Sequence, residues 1–107
     1  MIDNSQKLFE AMFLILQEMW EINQAEDLRI FISDADPFLC RDGNSADPVV
    51  FEDFNNLYEQ EKNSEPTNYD FIIFYLDNLD KYYGDIKKYF VSIPRNECEQ
   101  KISSYPV

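Results

Sequence analysis

The sequence of 107 residues contains no histidine. Histidine is the commonest general acid or base near neutral pH and a frequent metal ligand, so its absence excludes most hydrolase triads and most zinc sites. Basic residues are also scarce, because nine Lys and Arg stand against 21 Asp and Glu and leave a net charge of −12. We therefore expect no binding to nucleic acid or to an anionic membrane, since both require clustered cations.

Long apolar runs are absent as well. No run approaches a length of about 20 residues, which a helix needs to span a bilayer, and the first residues lack the positive charges of a signal peptide. The sequence thus predicts a cytoplasmic protein. The two cysteines, Cys40 and Cys98, are expected to be free thiols because no export signal accompanies them.

Apolar residues recur at helical spacing from Leu8 onward and predict a first helix over about residues 5–23. They form two adjacent stripes, the first of Leu8, Met12, Ile15, Met19 and Ile22, and the second of Phe9, Phe13, Leu16 and Trp20. Asn4 or Ser5 would cap this helix. Its outer face would carry Glu10, Glu18 and Glu21.

The next two helices are indicated mainly by the residues at their N-terminal starts. Residues 26–33 fit either a helix or a short strand, and we favour the helix because its first turn would hold Glu26 and Asp27, which oppose the positive end of the helix dipole. Asp47 followed by Pro48 predicts the start of a further helix, with Asp as the N-cap and Pro at the first helical position.

The second half of the chain gives weaker signals. Thr67 and Asp70 resemble a capping box, and residues 69–79 are apolar nearly all round, which fits an enclosed helix but leaves a buried strand open. Gly84 is expected to kink or divide the element that follows.

The tail after Pro94 is polar and is predicted to be loosely held from about residue 95. Hydrophobic residues make up 45% of the chain, which is enough for one core and too little for two domains. We therefore predict a single globular domain over residues 1–107, an all-α compact bundle of four to five helices.

The negative charge is concentrated in the first three quarters of the chain. Residues 1–79 contain 17 acids and four cations, whereas residues 80–107 contain four acids and five cations. An anionic surface of this kind speeds encounters with a cationic partner. Seven tyrosines accompany the acids, and one or two of them are expected to act as interface anchors.

The same acids give little sign of chemistry. A calcium loop starting at Asp34 would need an oxygen ligand and a glycine where the sequence has Phe38 and Leu39. Catalytic carboxylate pairs need a desolvating pocket, for which the sequence gives no signal, and Cys40 has no histidine to serve as its base. We expect no enzymatic activity, no metal and no cofactor.

Residues 33–38 (SDADPF) and 45–54 (SADPVVFEDF) resemble segments of small, acidic, mostly helical immunity proteins that accompany the polymorphic toxins of Gram-positive bacteria. The resemblance implies a cytoplasmic chain that binds a cognate toxin domain and blocks it. Because immunity proteins do not share one fold, the resemblance assigns no individual binding residue.

Charge and resemblance together predict a non-enzymatic inhibitor whose acidic face docks onto a basic toxin domain, such as a nuclease. The carboxylates would take the positions of phosphates, and an aromatic residue would supply the anchor. The predicted partner-binding residues are Asp34, Asp36, Phe38, Asp42, Asp47, Glu52, Asp53, Tyr58, Glu59 and Glu61.

A second hypothesis is an acidic regulatory or adaptor module inside a larger bacterial assembly. One form of this hypothesis is a homodimer that buries the second apolar stripe of the first helix.

Overall fold

The computed structural model describes residues 1–39 and 45–106. Within them lie α1 (Ser5–Asn23), α2 (Glu26–Ala35), α3 (Pro48–Glu61), α4 (Asn68–Asn78), α5 (Asp80–Tyr83), α6 (Lys87–Val91) and α7 (Arg95–Ser103). A 3-10 turn, Lys62–Ser64, follows α3. Helix accounts for 74% of the structure and the described residues contain no strand, so the predicted all-α class is confirmed.

Side-chain caps fix the starts of α1, α3 and α4 as the sequence predicted. At the start of α4 the Thr67 side chain accepts a hydrogen bond from the Asp70 amide. The Asn4 side chain accepts a hydrogen bond from the Lys7 amide at the start of α1. Asp47 caps α3 through the amide of Val49, and Pro48 occupies the first turn. Each cap satisfies a backbone donor that the helix itself leaves unpaired.

Helix α1 is the central element and contacts α2, α3, α6 and α7. Its second apolar stripe is buried inside the chain, with Phe9 and Leu16 at 0% and Phe13 at 2% exposure. Phe9, Phe13 and Leu16 already pack in the core, so they are not free to form the interface of a homodimer, and homodimerisation itself stays a prediction. The first stripe is buried only in part, because Leu8, Met12 and Ile15 lie in the core but Ile22 is exposed.

An aromatic cluster joins α1, α3 and α4. The Phe54 ring lies edge-on to the rings of Phe9, Phe71 and Tyr75, at centroid distances of 5.1, 5.3 and 4.8 Å. Edge-to-face pairs at these distances are favourable beyond the area that they bury. The cluster holds the middle of α3 against α1 and α4.

Residues 69–78 lie in α4 and do not form the buried strand that the sequence left open, and Leu79 is the C-cap of this helix. The helical element after it is divided at Gly84, which has φ of +83° and lies between α5 and α6. A residue without a Cβ adopts this conformation most easily.

The prediction of a loosely held tail from about residue 95 is corrected by the structure. Residues Arg95–Ser103 form α7, and Cys98 and Ile102 are buried at 0% and 1% exposure. Two apolar side chains spaced four residues apart give even a polar helix a face that packs on the core. Cys98 is a free thiol, whereas Cys40 lies outside the described residues.

Across the described ranges, no helix has the length and apolar character needed to cross a membrane.

Candidate functional site

Three of the predicted acidic residues lie around one groove of the surface. Asp34 lies at the end of α2, Asp47 caps α3 and Asp53 lies one and a half turns into α3. The Asp47 amide donates a 2.8 Å hydrogen bond to the Asp34 carbonyl, which ties the end of α2 to the start of α3. This backbone bond brings carboxylates from two separate segments together.

The groove lies between the first turns of α3 and the C-terminal end of α4 with α5, and its volume is about 510 Å³. It is lined by Asp47, Val49, Val50, Asp53, Tyr75, Leu79, Tyr82 and Tyr83. Val49 and Tyr82 are exposed, at 58% and 69%. We call these eight residues the acidic groove.

Tyr83 links the acidic groove to Asp34. Its hydroxyl donates to the Asp34 carboxylate at 2.9 Å, and its ring lies edge-on to that of Phe31. Burial raises the pKa of Tyr83 well above its ordinary value, with further contributions from the bond to Asp34 and from the charges of Asp47 and Asp53. The negative charges of Asp34, Asp47 and Asp53 therefore all oppose ionisation of the Tyr83 hydroxyl.

Tyr75 forms the floor of the groove and is only 2% exposed. Its hydroxyl has no hydrogen-bond partner among the described residues. Burial raises the pKa of Tyr75, and the charges of Asp53 and Tyr83 raise it further. Such an unpaired buried group destabilises the fold unless something binds to it.

The carboxylates around the groove are not neutralised by the cations that the structure describes. Ion pairs within 4 Å hold Lys7, Arg29, Lys62, Lys87, Lys88, Arg95 and Lys101, and none of these pairs includes Asp34, Asp47 or Asp53. Lys81 lies at one end, with its Nζ 5.2 Å from the centroid of the Tyr82 ring. The groove thus keeps a negative field.

Other predicted acids lie away from the groove. Asp36 lines a separate depression beside Trp20 and Leu39, and its carboxylate accepts the amide of Phe38. Glu52 is exposed on α3 but does not line the groove.

Glu59 and Glu61 lie toward the C-terminal end of α3. Glu59 pairs with Lys62 at 2.6 Å, and Glu61 is half-buried. Asp42 lies outside the described residues.

The two predicted aromatic anchors have different outcomes. Phe38 is 56% exposed and its ring packs edge-on against Phe13 at 5.9 Å, so it is available to a partner but is not in the acidic groove. Tyr58 is 5% exposed and its hydroxyl donates to the Ile2 carbonyl at 2.7 Å. The assignment of Tyr58 as an anchor is therefore corrected, because its hydroxyl and ring are both used inside the fold.

Sequence reasoning missed Tyr75, Tyr82 and Tyr83 as groove residues. The available signal was the density of tyrosines in residues 75–83, but helical spacing alone does not tell which of them face outward. The packing of α4 against α3 buries Tyr75, whereas Tyr82 on α5 stays exposed.

A second depression, of about 500 Å³, lies between α1 and α7. Its charged groups are largely paired, since Lys101 bonds Glu18 at 2.9 Å across it. Nearby, Tyr105 donates to the buried Glu10 carboxylate. This depression therefore offers less unsatisfied charge than the acidic groove.

The described thiol is unsuited to nucleophilic chemistry. Burial raises the pKa of Cys98 to about 11, so the thiolate is scarce at neutral pH.

No family model matches the chain, and neither curated proteins nor solved structures give a match. The similarity to immunity proteins therefore stays a prediction.

Proposed function

We propose that this chain is a non-enzymatic binding protein that neutralises a basic toxin domain, such as a nuclease, in the cytoplasm of a bacterial cell. One observation carries the proposal: Asp34, Asp47 and Asp53 converge on an open groove without ion-pair partners among the described residues. The resemblance of residues 33–38 and 45–54 to immunity proteins supplies the toxin as the partner.

The charge of the groove accounts for recognition. A surface of one sign attracts a surface of the other and raises the association rate, more so at low salt. The substrate groove of a nuclease is lined with cations that bind phosphates, so carboxylates can occupy the same positions. Exposed Val49 and Tyr82 add apolar contact area, which charge alone does not supply.

The experiment uses the 107-residue chain and, as the toxin, a secreted toxin domain chosen from the genes that neighbour its own. Co-expression should protect cells from the toxin, and stopped-flow mixing should give the association rate. Asp47→Asn together with Asp53→Asn removes two groove charges, and the Asn at position 47 still caps α3. We expect the association rate at low salt to fall about tenfold.

The matched control is Glu52→Gln together with Glu65→Gln, which removes the same charge from exposed acids outside the groove. Equal association rates for the two double variants would contradict the role of the groove. Failure of the chain to bind the toxin or to protect cells would contradict the proposed function itself.

A further inference from the structure

We propose that the acidic groove receives an arginine side chain of the partner, with the carboxylates of Asp47 and Asp53 and the hydroxyl of Tyr75 as acceptors and the ring of Tyr82 as a stacking surface. The inference rests on the proposed function, because it identifies the group of the basic partner that enters the groove.

The first argument is the unpaired hydroxyl of Tyr75. The residue is 98% buried, it lines the groove, and its oxygen has no partner among the residues that the structure describes. A buried hydroxyl without a partner is unfavourable, and nearly all buried polar groups in proteins are paired. A donor that enters the groove would remove this penalty.

The second argument is the mixture of carboxylate and aromatic groups at the rim. Asp47 and Asp53 lie on the α3 side, and Tyr82 lies on the α5 side and is 69% exposed. The ring of Tyr82 already has a cation near its face, since Lys81 Nζ is 5.2 Å from its centroid. The groove therefore combines charge acceptors with a ring that accepts a cation.

These features favour arginine over lysine. A guanidinium is planar, carries five N–H donors in a fixed fork, stacks on aromatic rings and is weakly hydrated. It can reach several acceptors at once while it lies on apolar side chains such as Val50 and Leu79, which line the same groove. An ammonium group is compact and strongly hydrated, so it would lose more hydration free energy than a guanidinium on entering the groove.

The test titrates the complete ¹⁵N-labelled chain with Nα-acetyl-arginine methylamide and, separately, with Nα-acetyl-lysine methylamide. We expect saturable shifts of the amides of Val49, Val50 and Tyr82 with the arginine compound, and binding at least about fivefold weaker with the lysine compound. Equal affinities, shifts confined to other parts of the chain, or no saturable shift would overturn the inference.

Tyr75→Phe tests the hydroxyl directly. We expect it to weaken the binding of the arginine compound about three- to tenfold, the value of one hydrogen bond, while the melting temperature of the free protein stays the same or rises. Tyr89→Phe is the matched control, because its hydroxyl bonds Asp27 outside the groove, and it should bind as the unmodified chain does. Unchanged arginine binding by Tyr75→Phe would overturn the inference.

A second variant covers the case in which Tyr75→Phe does not fold. Tyr82→Ala changes an exposed side chain and should also weaken the arginine compound severalfold, and unchanged binding would contradict the stacking role. If the groove does not prefer arginine but toxin binding still depends on Asp47 and Asp53, this inference fails and the proposed function stands. If the groove binds arginine but the chain does not protect cells, the proposed function fails alone.

Discussion

Tyrosine hydroxyls inside this protein have two kinds of environment. Tyr58 and Tyr105 donate to the Ile2 carbonyl and to the Glu10 carboxylate, whereas Tyr75 has no partner in the part of the chain that is described. The hydrogen bonds of the paired hydroxyls replace the hydrogen bonds to water that are lost on burial, so they stabilise the fold. The unpaired one has the opposite effect, which is why we assign it to a binding site and not to the core.

Tyr105→Phe should destabilise the protein. Glu10 is 6% exposed, and without the hydroxyl its carboxylate would keep, among the described residues, the ion pair with Lys7, whose Nζ is 3.7 Å away. Leaving a buried charge with one hydrogen bond fewer costs about 1 to 2 kcal/mol. Urea unfolding at pH 7 measures the change, and Tyr82→Phe, at a position that is 69% exposed, is the control. Equal stability of the two variants would show that the Tyr105 bond contributes nothing.

The hydrogen bond between Tyr105 and Glu10 makes the stability of the protein depend on pH in the alkaline range. Burial and the hydrogen bond to Glu10 raise the pKa of Tyr105 to about 12, compared with about 10 for a free phenol. The folded state therefore holds this proton more tightly, so its stabilising contribution is complete below pH 10 and is lost as the pH rises toward 12. Tyr105→Phe should lose less stability over this interval than the unmodified chain does.

At the scale of the helices, local rules predicted the capped starts. The caps at Asn4, Asp47 and Thr67 were visible because a short polar side chain that precedes an apolar repeat has one physical role. Whether residues 69–79 formed a strand could not be decided locally, since β-branched and aromatic residues suit both structures when both sides are buried.

Helix α7 was missed for a related reason. Residues 95–103 are mostly polar, and the mean composition of a segment does not reveal two buried positions. Cys98 and Ile102 pack into a space between other helices that exists only in the folded chain. A tertiary contact, and not helix propensity, therefore holds this segment.

Ile102→Ala tests whether α7 is part of the core. The side chain is 1% exposed, and truncating a buried isoleucine to alanine typically costs about 2 to 5 kcal/mol. Urea unfolding should show this loss, whereas Asn96→Ala, at an exposed position of the same helix, should change the stability by less than about 0.5 kcal/mol. If Ile102→Ala lost as little stability as the control, the result would support the prediction of a loosely held tail.

On the scale of the whole molecule, the candidate site joins residues from four helices. Asp34 comes from α2, Asp47 and Asp53 come from α3, and the tyrosines come from α4 and α5. The sequence predicted the acids, because excess charge on exposed faces is visible in the composition. It could not predict which acids would be adjacent, since Asp36 and Asp34 are two residues apart but lie at different depressions.

The net charge of −12 predicts how the stability of the protein depends on salt. Like charges oppose folding, and salt screens exposed charges over about 8 to 10 Å. The melting temperature should therefore rise between low and moderate NaCl concentrations. Asp53→Asn should raise stability at low salt by about 0.5 to 1 kcal/mol, the usual size of an exposed charge interaction, because it relieves repulsion with Asp47 and Asp34.

The difference between Asp53→Asn and the unmodified chain should shrink as salt is added, since screening already weakens the repulsion that the substitution removes. Glu26→Gln is the contrasting control, because Glu26 pairs with Arg29 and its loss should not stabilise the protein. If both variants had the same stability at low salt, the acids of the groove would not repel one another. Stabilisation by Asp53→Asn with slower binding to a basic partner would instead indicate that the groove keeps its charge for recognition at the expense of stability.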